Sequence, residues 1–92
     1  MEKTIWKLPL KVKDIQEIEV PIGSTLLSVQ NQHEKPCLWI LVLDTNAKKE
    51  TILLRTVGTG NSIYDDVDPK DFLGTYQLFG GQFVGHVFRV IR

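Results

Sequence analysis

Cys37-Leu38-Trp39-Ile40-Leu41-Val42-Leu43 is the longest wholly apolar run in the chain, and its reading decides the fold. It falls far short of the ~20 residues that a membrane-spanning helix needs. Pro36 and Asp44 bound it, and Trp39, Ile40 and Val42 are residue types that suit a pleated strand. Apolar on both faces, the run reads as a central strand covered on two sides, the core of the domain.

Toward the N-terminus, His33-Glu34-Lys35-Pro36 reads as a turn that reverses the chain. Before it, Thr25 to Gln32 is a strand with Leu27 and Val29 on one side and Leu26, Ser28, Gln30 and Gln32 on the other. Pro21-Ile22-Gly23-Ser24 has the chemistry of a tight turn. Ile15 to Val20 alternates Gln16, Ile18 and Val20 against Ile15, Glu17 and Glu19, which predicts a wet acidic face. Thr4 to Leu10 sets Trp6, Leu8 and Leu10 on one face, and Pro9, lacking an N–H, places this strand at an edge or ends it.

Toward the C-terminus, the polar loop Asp44 to Lys49 leads into a strand over Thr51 to Val57, with Arg55 in line with Thr51, Leu53 and Val57. Gly58 to Lys70 is the longest irregular stretch, and loops of that length tend to carry function. Asp68-Pro69 supplies an N-cap acid and a first-position proline for one helical turn. Gly74 to Phe79 and Gln82 to Ile91 are strands that Gly80-Gly81 joins as a two-residue hairpin, hence antiparallel. The expectation is an all-β fold: a small antiparallel barrel or sandwich of about seven strands with one short helical turn, in a single domain over residues 1–92.

Composition narrows function more by exclusion. Eleven Lys and Arg cancel eleven Asp and Glu, so the net charge of zero offers no footprint for duplex nucleic acid or an anionic membrane. The start lacks the regions of a signal peptide, and the single cysteine, Cys37, allows no internal disulfide, so the expected compartment is the cytoplasm. Cys37 opens the most apolar segment, as a buried thiol does, and no hydrolase signature surrounds it; the chain reads as a non-enzyme. No metal site is expected, because Cys37, His33 and His86 lack paired ligand spacing. Asp65, Asp66, Asp68 and Asp71 crowd one loop but do not fit an EF-hand, and no cofactor is expected.

The best candidate for chemistry is Gly58-Thr59-Gly60-Asn61-Ser62, where small residues at a strand end can aim backbone N–H groups and hydroxyls at an anion. The competing reading is a strand-exit turn. Arg55, on an otherwise apolar face, must find a carboxylate, a phosphate or solvent. His86 is either a hydrogen-bonded histidine at the core edge or a ligand-facing group. Gln77 with Trp39 supplies the hydrogen bonding and stacking that a base would use, and an oligomer interface uses the same residue types.

With Leu27-Ser28-Val29-Gln30, Pro36-Cys37-Leu38-Trp39, Gly58-Thr59-Gly60, Leu73-Gly74-Thr75-Tyr76-Gln77 and Gly81-Gln82-Phe83-Val84-Gly85-His86-Val87-Phe88, the chain resembles a family of small uncharacterised proteins encoded mainly by bacteriophages and prophages. The resemblance brings no catalytic motif. It implies a host-cell cytoplasmic setting, where accessory proteins of this size bind immune signalling nucleotides or plug a host enzyme. The functional expectation is therefore a non-enzymatic homo-oligomer that sequesters a small anionic ligand such as a nucleotide, held by Arg55, Gly58, Thr59, Gly60 and Asn61 with Trp39, Gln77 or His86 at the base. The alternative is a module that binds and inhibits a host protein.

Overall fold

Seven strands carry alternating side chains that sort into two antiparallel sheets in the computed structural model, which describes residues 2–63 and 67–91. They are β1 (Thr4–Pro9), β2 (Ile15–Pro21), β3 (Thr25–Gln32), β4 (Lys35–Val42), β5 (Lys49–Gly58), β6 (Phe72–Leu78) and β7 (Phe83–Val90). One sheet has the order β1-β4-β3 and the other β2-β5-β7-β6. The sheets stack without closing into a barrel, so of the two expected forms the sandwich is the one adopted.

The buried face of β4 supplies Leu38, Ile40 and Val42, all wholly enclosed. Trp6 and Leu8 lie beside them through the register Trp6↔Ile40 and Leu8↔Leu38. Across the sandwich stand Val20, Ile52, Leu54, Tyr76, Leu78 and Val87. Burying such aliphatic side chains contributes roughly 1.5–3 kcal/mol each before chain entropy is charged against it. β4 is central in its sheet, but only one of its faces is covered. Trp39 and Leu41 are half-buried on the outer face, beside Ile5 at 59% exposure, because nothing among the described residues packs over that side.

Two links join the β1–β4 pair to the β2–β5 pair at opposite ends, residues 10–14 and 43–48. The first is fixed by Gln16, whose amide accepts from the Lys11 N–H at 3.0 Å and donates to the Lys11 carbonyl at 2.8 Å. That pairing satisfies a polar side chain that is itself buried. On the far side, β3 and β6 meet without forming a shared ladder. Asn31 ties them: its Nδ2 donates to the Gln77 carbonyl at 2.6 Å and its Oδ1 accepts from the Gln77 N–H at 2.8 Å.

Local structure departs from strict alternation at three places. A β-bulge between Leu26 and Ser28 puts Leu26 and Val29 on the core side and leaves Leu27 exposed, so Leu27 does not share a face with Val29. The β3–β4 reversal is a two-residue turn with positive φ at His33 and Glu34, which lets Lys35 and Pro36 enter the strand. The β6–β7 hairpin is longer than two residues: Phe79, Gly80 and Gly81 all adopt positive φ, a left-handed turn closed by Gln82 N–H donating to the Phe79 carbonyl. The expected helical turn forms at Pro69–Asp71, capped by the Asp68 carboxylate accepting from the Lys70 N–H at 3.0 Å. Among the described residues no helix is long and apolar enough to cross a membrane.

Candidate functional site

β5 ends at Gly58, directly across from Gly85 of β7, and the chain then turns over Thr59 and Gly60. Thr59 N–H donates to the Val84 carbonyl at 3.2 Å and Asn61 N–H to the Gly58 carbonyl at 3.0 Å. Gly60 has φ of +88°, which a side chain would strain. At Gly58 the missing side chain leaves room of another kind: a Cβ there would stand 2.9 Å from Nδ2 at the end of the Asn61 side chain, so the Asn61 amide lies over bare backbone. The turn thus uses the amides of Thr59 and Asn61 for its own closure. Of the backbone N–H groups expected to face an anion over Gly58–Ser62, these two are committed to the turn; the Asn61 and Ser62 side chains border the neighbouring cleft.

His86 stands on the outer face of β7, opposite Val57 on one side and Thr75 on the other. Its Nε2 is 2.7 Å from Thr59 Oγ1 and its Nδ1 is 2.9 Å from Thr75 Oγ1. A hydroxyl can donate or accept, so the two threonines serve either neutral tautomer. Both ring nitrogens are engaged, and His86 acts as a tie between β6, β7 and the Gly58–Asn61 turn rather than as a group aimed at a base.

Arg55 lies on the same outer face, between Ile15 of β2 and Phe88 of β7 in the register. The 3-10 turn at Pro69–Asp71 packs against β7, and Phe88, tilted against Phe72 at 5.3 Å, is buried to 8% exposure there. Arg55 is half-buried and lines an open cleft of about 260 Å3 together with Asp14, Thr56, Val57, Gly58, Asn61 and Ser62. A guanidinium, a carboxylate, a carboxamide and a hydroxyl therefore border one small space.

The structure gathers Arg55, Gly58, Thr59, Gly60, Asn61 and His86 at one end of one sheet face. Gln77 is on that face too, two residues along β6 from Thr75, with its side chain over Gly81. Trp39 is not part of the group: it belongs to the outer face of the other sheet, across the core, because β4 pairs only with β1 and β3. Cys37 is buried, with Sγ 3.8 Å from the Lys35 carbonyl. Asp65 and Asp66 lie outside the described residues, and among the described ones no cluster of His, Cys, Asp or Glu could hold a metal. Asp14 and Thr75 were missed by sequence reasoning. Their roles depend on strand register, Thr75 opposite His86 and Asp14 bonded through its carbonyl to the Thr56 N–H, and local sequence gives no register.

No curated protein and no solved structure matches the chain. One family model, described as Domain of unknown function (DUF7352), matches residues 1–92. With the match running the whole length of the sandwich, strands, seam and cleft included, the chain belongs to the DUF7352 family.

Proposed function

We propose that the protein is a non-enzymatic binder that holds a small anionic ligand, a signalling nucleotide in its fullest form, in the cleft beside Arg55 and lowers its free concentration. The observation that carries this reading is the meeting of Arg55 with Gly58, Asn61 and Ser62 around one cleft. A guanidinium can bind a phosphate with two parallel hydrogen bonds, and Ser62 and Asn61 add neutral donors. Asp14 on the same wall would repel a bare anion, so it favours a guest that also carries hydroxyl or amino donors, as a nucleotide does. The volume suits one nucleotide unit. Binding without turnover matches the phage-type, host-cytoplasmic setting that the sequence resemblance implies. Calorimetry against mononucleotides, cyclic dinucleotides and ADP-ribose derivatives tests it. Micromolar or tighter binding is expected, weakened about tenfold or more in Arg55→Ala; no binding across the panel removes the proposal.

One observation favours a second reading, a module that binds a host protein. The outer face of the β1-β4-β3 sheet presents Ile5 at 59% and Leu27 at 44% exposure beside half-buried Trp39 and Leu41. A contiguous apolar patch of this sort marks interaction surfaces. It would show as a stoichiometric complex that Trp39→Ser and Leu27→Ser weaken while nucleotide binding is unaffected.

A further inference from the structure

The open edges of the two sheets carry opposite charge. Among the described residues, no strand pairs with the outer edge of β1 or of β2. Their backbone polarity follows from bonds at the strand ends. Leu10 N–H donates to the Pro36 carbonyl at 2.9 Å, continuing the register Pro9↔Cys37, so Thr4, Trp6 and Leu8 exchange bonds with β4. Ile5, Lys7 and Pro9 then turn their backbone groups outward. In β2, Ile22 N–H donates to Lys48 and Thr56 N–H to Asp14, both at 2.8 Å, so the even-numbered residues face β5. Ile15, Glu17, Glu19 and Pro21 therefore face outward. Pro9 and Pro21, which lack N–H groups, close each open ladder at one end.

The two edges lie on the same side of the sandwich. Links 10–14 and 43–48 connect the β1–β4 and β2–β5 pairs at opposite ends, so β1 runs antiparallel over β2; taking Pro9 and Ile15 as level where link 10–14 joins them, equal strand rise sets Lys7 level with Glu17 and Ile5 with Glu19. The side away from them is closed by the β3–β6 seam. One edge is basic, with Lys3 and Lys7, and the other acidic, with Glu17 and Glu19; all four side chains are exposed, Lys7 donating across its own sheet to the Gln32 side chain of β3, a neutral contact at an exposed site.

We propose that two copies of this chain associate about a two-fold axis parallel to the strands, β1 of each pairing antiparallel with β2 of the other. The axis brings Lys7 opposite Glu17 of the second copy and Ile5 opposite its Glu19, and each of these residues has the outward backbone polarity that a new ladder requires. Each sheet then runs on from β3-β4-β1 into β2-β5-β7-β6 of the second copy. The contact is closed and self-complementary, as a two-fold interface must be, and it covers both edges of each copy at once. The other two-fold arrangement, β1 on β1 and β2 on β2, sets lysines against lysines and glutamates against glutamates, which like-charge repulsion disfavours.

Sedimentation equilibrium of the full chain from micromolar to millimolar concentration tests the seam. Wild type is expected to dimerise. Lys3→Glu with Lys7→Glu makes both edges acidic, and Glu17→Lys with Glu19→Lys makes both basic; each double variant should dimerise roughly tenfold or more weakly. An equimolar mixture of the two, and the single chain carrying all four changes, should recover the dimer. If a double variant fails to fold, amide exchange of the wild type reads the same seam without substitution: Ile5, Lys7, Ile15, Glu17 and Glu19 should gain protection as concentration rises. A wild type that stays monomeric throughout, or a dimer that both charge reversals leave unchanged, overturns the proposal. Neither result bears on the nucleotide proposal, whose test is ligand binding at Arg55.

Discussion

Tyr76 fills the room that Gly85 leaves on the neighbouring strand: a Cβ at Gly85 would stand 3.0 Å from both the Tyr76 ring and the Thr56 methyl. The ring is 1% exposed, and its hydroxyl faces Thr56 without a hydrogen bond of ordinary geometry. Burial, with the Asp14 carboxylate adding to it against the opposing effect of Thr56, raises the phenol above its usual value of 10.0. The unfolded chain therefore releases this proton first as pH climbs. Stability that is fully present below about pH 10 is lost on going up through the folded-state value. Tyr76→Phe should change stability by less than about 1 kcal/mol at neutral pH, since little hydrogen bonding is lost. It should also flatten the alkaline decline, and denaturant midpoints of the two proteins measured side by side from neutral to alkaline pH check both parts. At this scale the sequence was partly legible. Arg55 stood out because a guanidinium among Leu53 and Val57 has to be accounted for, and it does border the cleft. His86 kept two readings open, since only the positions of Thr59 and Thr75 decide between them.

Between strands, the instructive element is the β3–β6 seam, where the two sheets touch through a side chain instead of a ladder. A Cβ on Gly74 would sit 2.2 Å from the Val29 carbonyl oxygen, so only glycine lets β6 come this close to β3. Gly74→Ala is expected to destabilise the fold by about 3 kcal/mol or more, because the atom in the way is backbone and cannot rotate aside. Asn31→Ala removes both bonds to Gln77 at a partly solvated site and should cost about 1–2 kcal/mol. Chemical denaturation of the two variants checks the order; a milder Gly74→Ala would mean that the seam opens freely. None of this was visible beforehand. Periodicity places a strand and chooses its faces, but it assumes an unbroken alternation, and the bulge at Leu26–Ser28 shifts Leu27 out of phase with Val29. Turn chemistry found the reversal at His33–Glu34 but drew it too long, taking in Lys35 and Pro36, and it missed Phe79, a residue without turn preference that takes positive φ because the hairpin geometry demands it.

For the whole molecule, apolar runs between turn residues were enough to predict an all-β domain, since each run can be buried only by stacking on another sheet. Strand order, the uncovered face around Trp39 and the cleft at Asp14 were not legible, because all three arise from pairings between segments remote in sequence. The same pairings segregate charge on a chain whose net charge is zero, lysines at the β1 edge and glutamates at the β2 edge. A small domain draws limited stability from its own core, so covering two edges should be felt thermally. Mass action then ties stability to concentration: folded dimer in equilibrium with unfolded monomer gains about 0.7 kcal/mol per protomer for each tenfold step. For a domain this small, that raises Tm by roughly 3 °C. Wild type should show this rise in calorimetry at low ionic strength. The Lys3→Glu, Lys7→Glu variant should show a smaller rise, confined to higher concentrations, and salt, which screens exposed charges, should shrink the wild-type slope toward it.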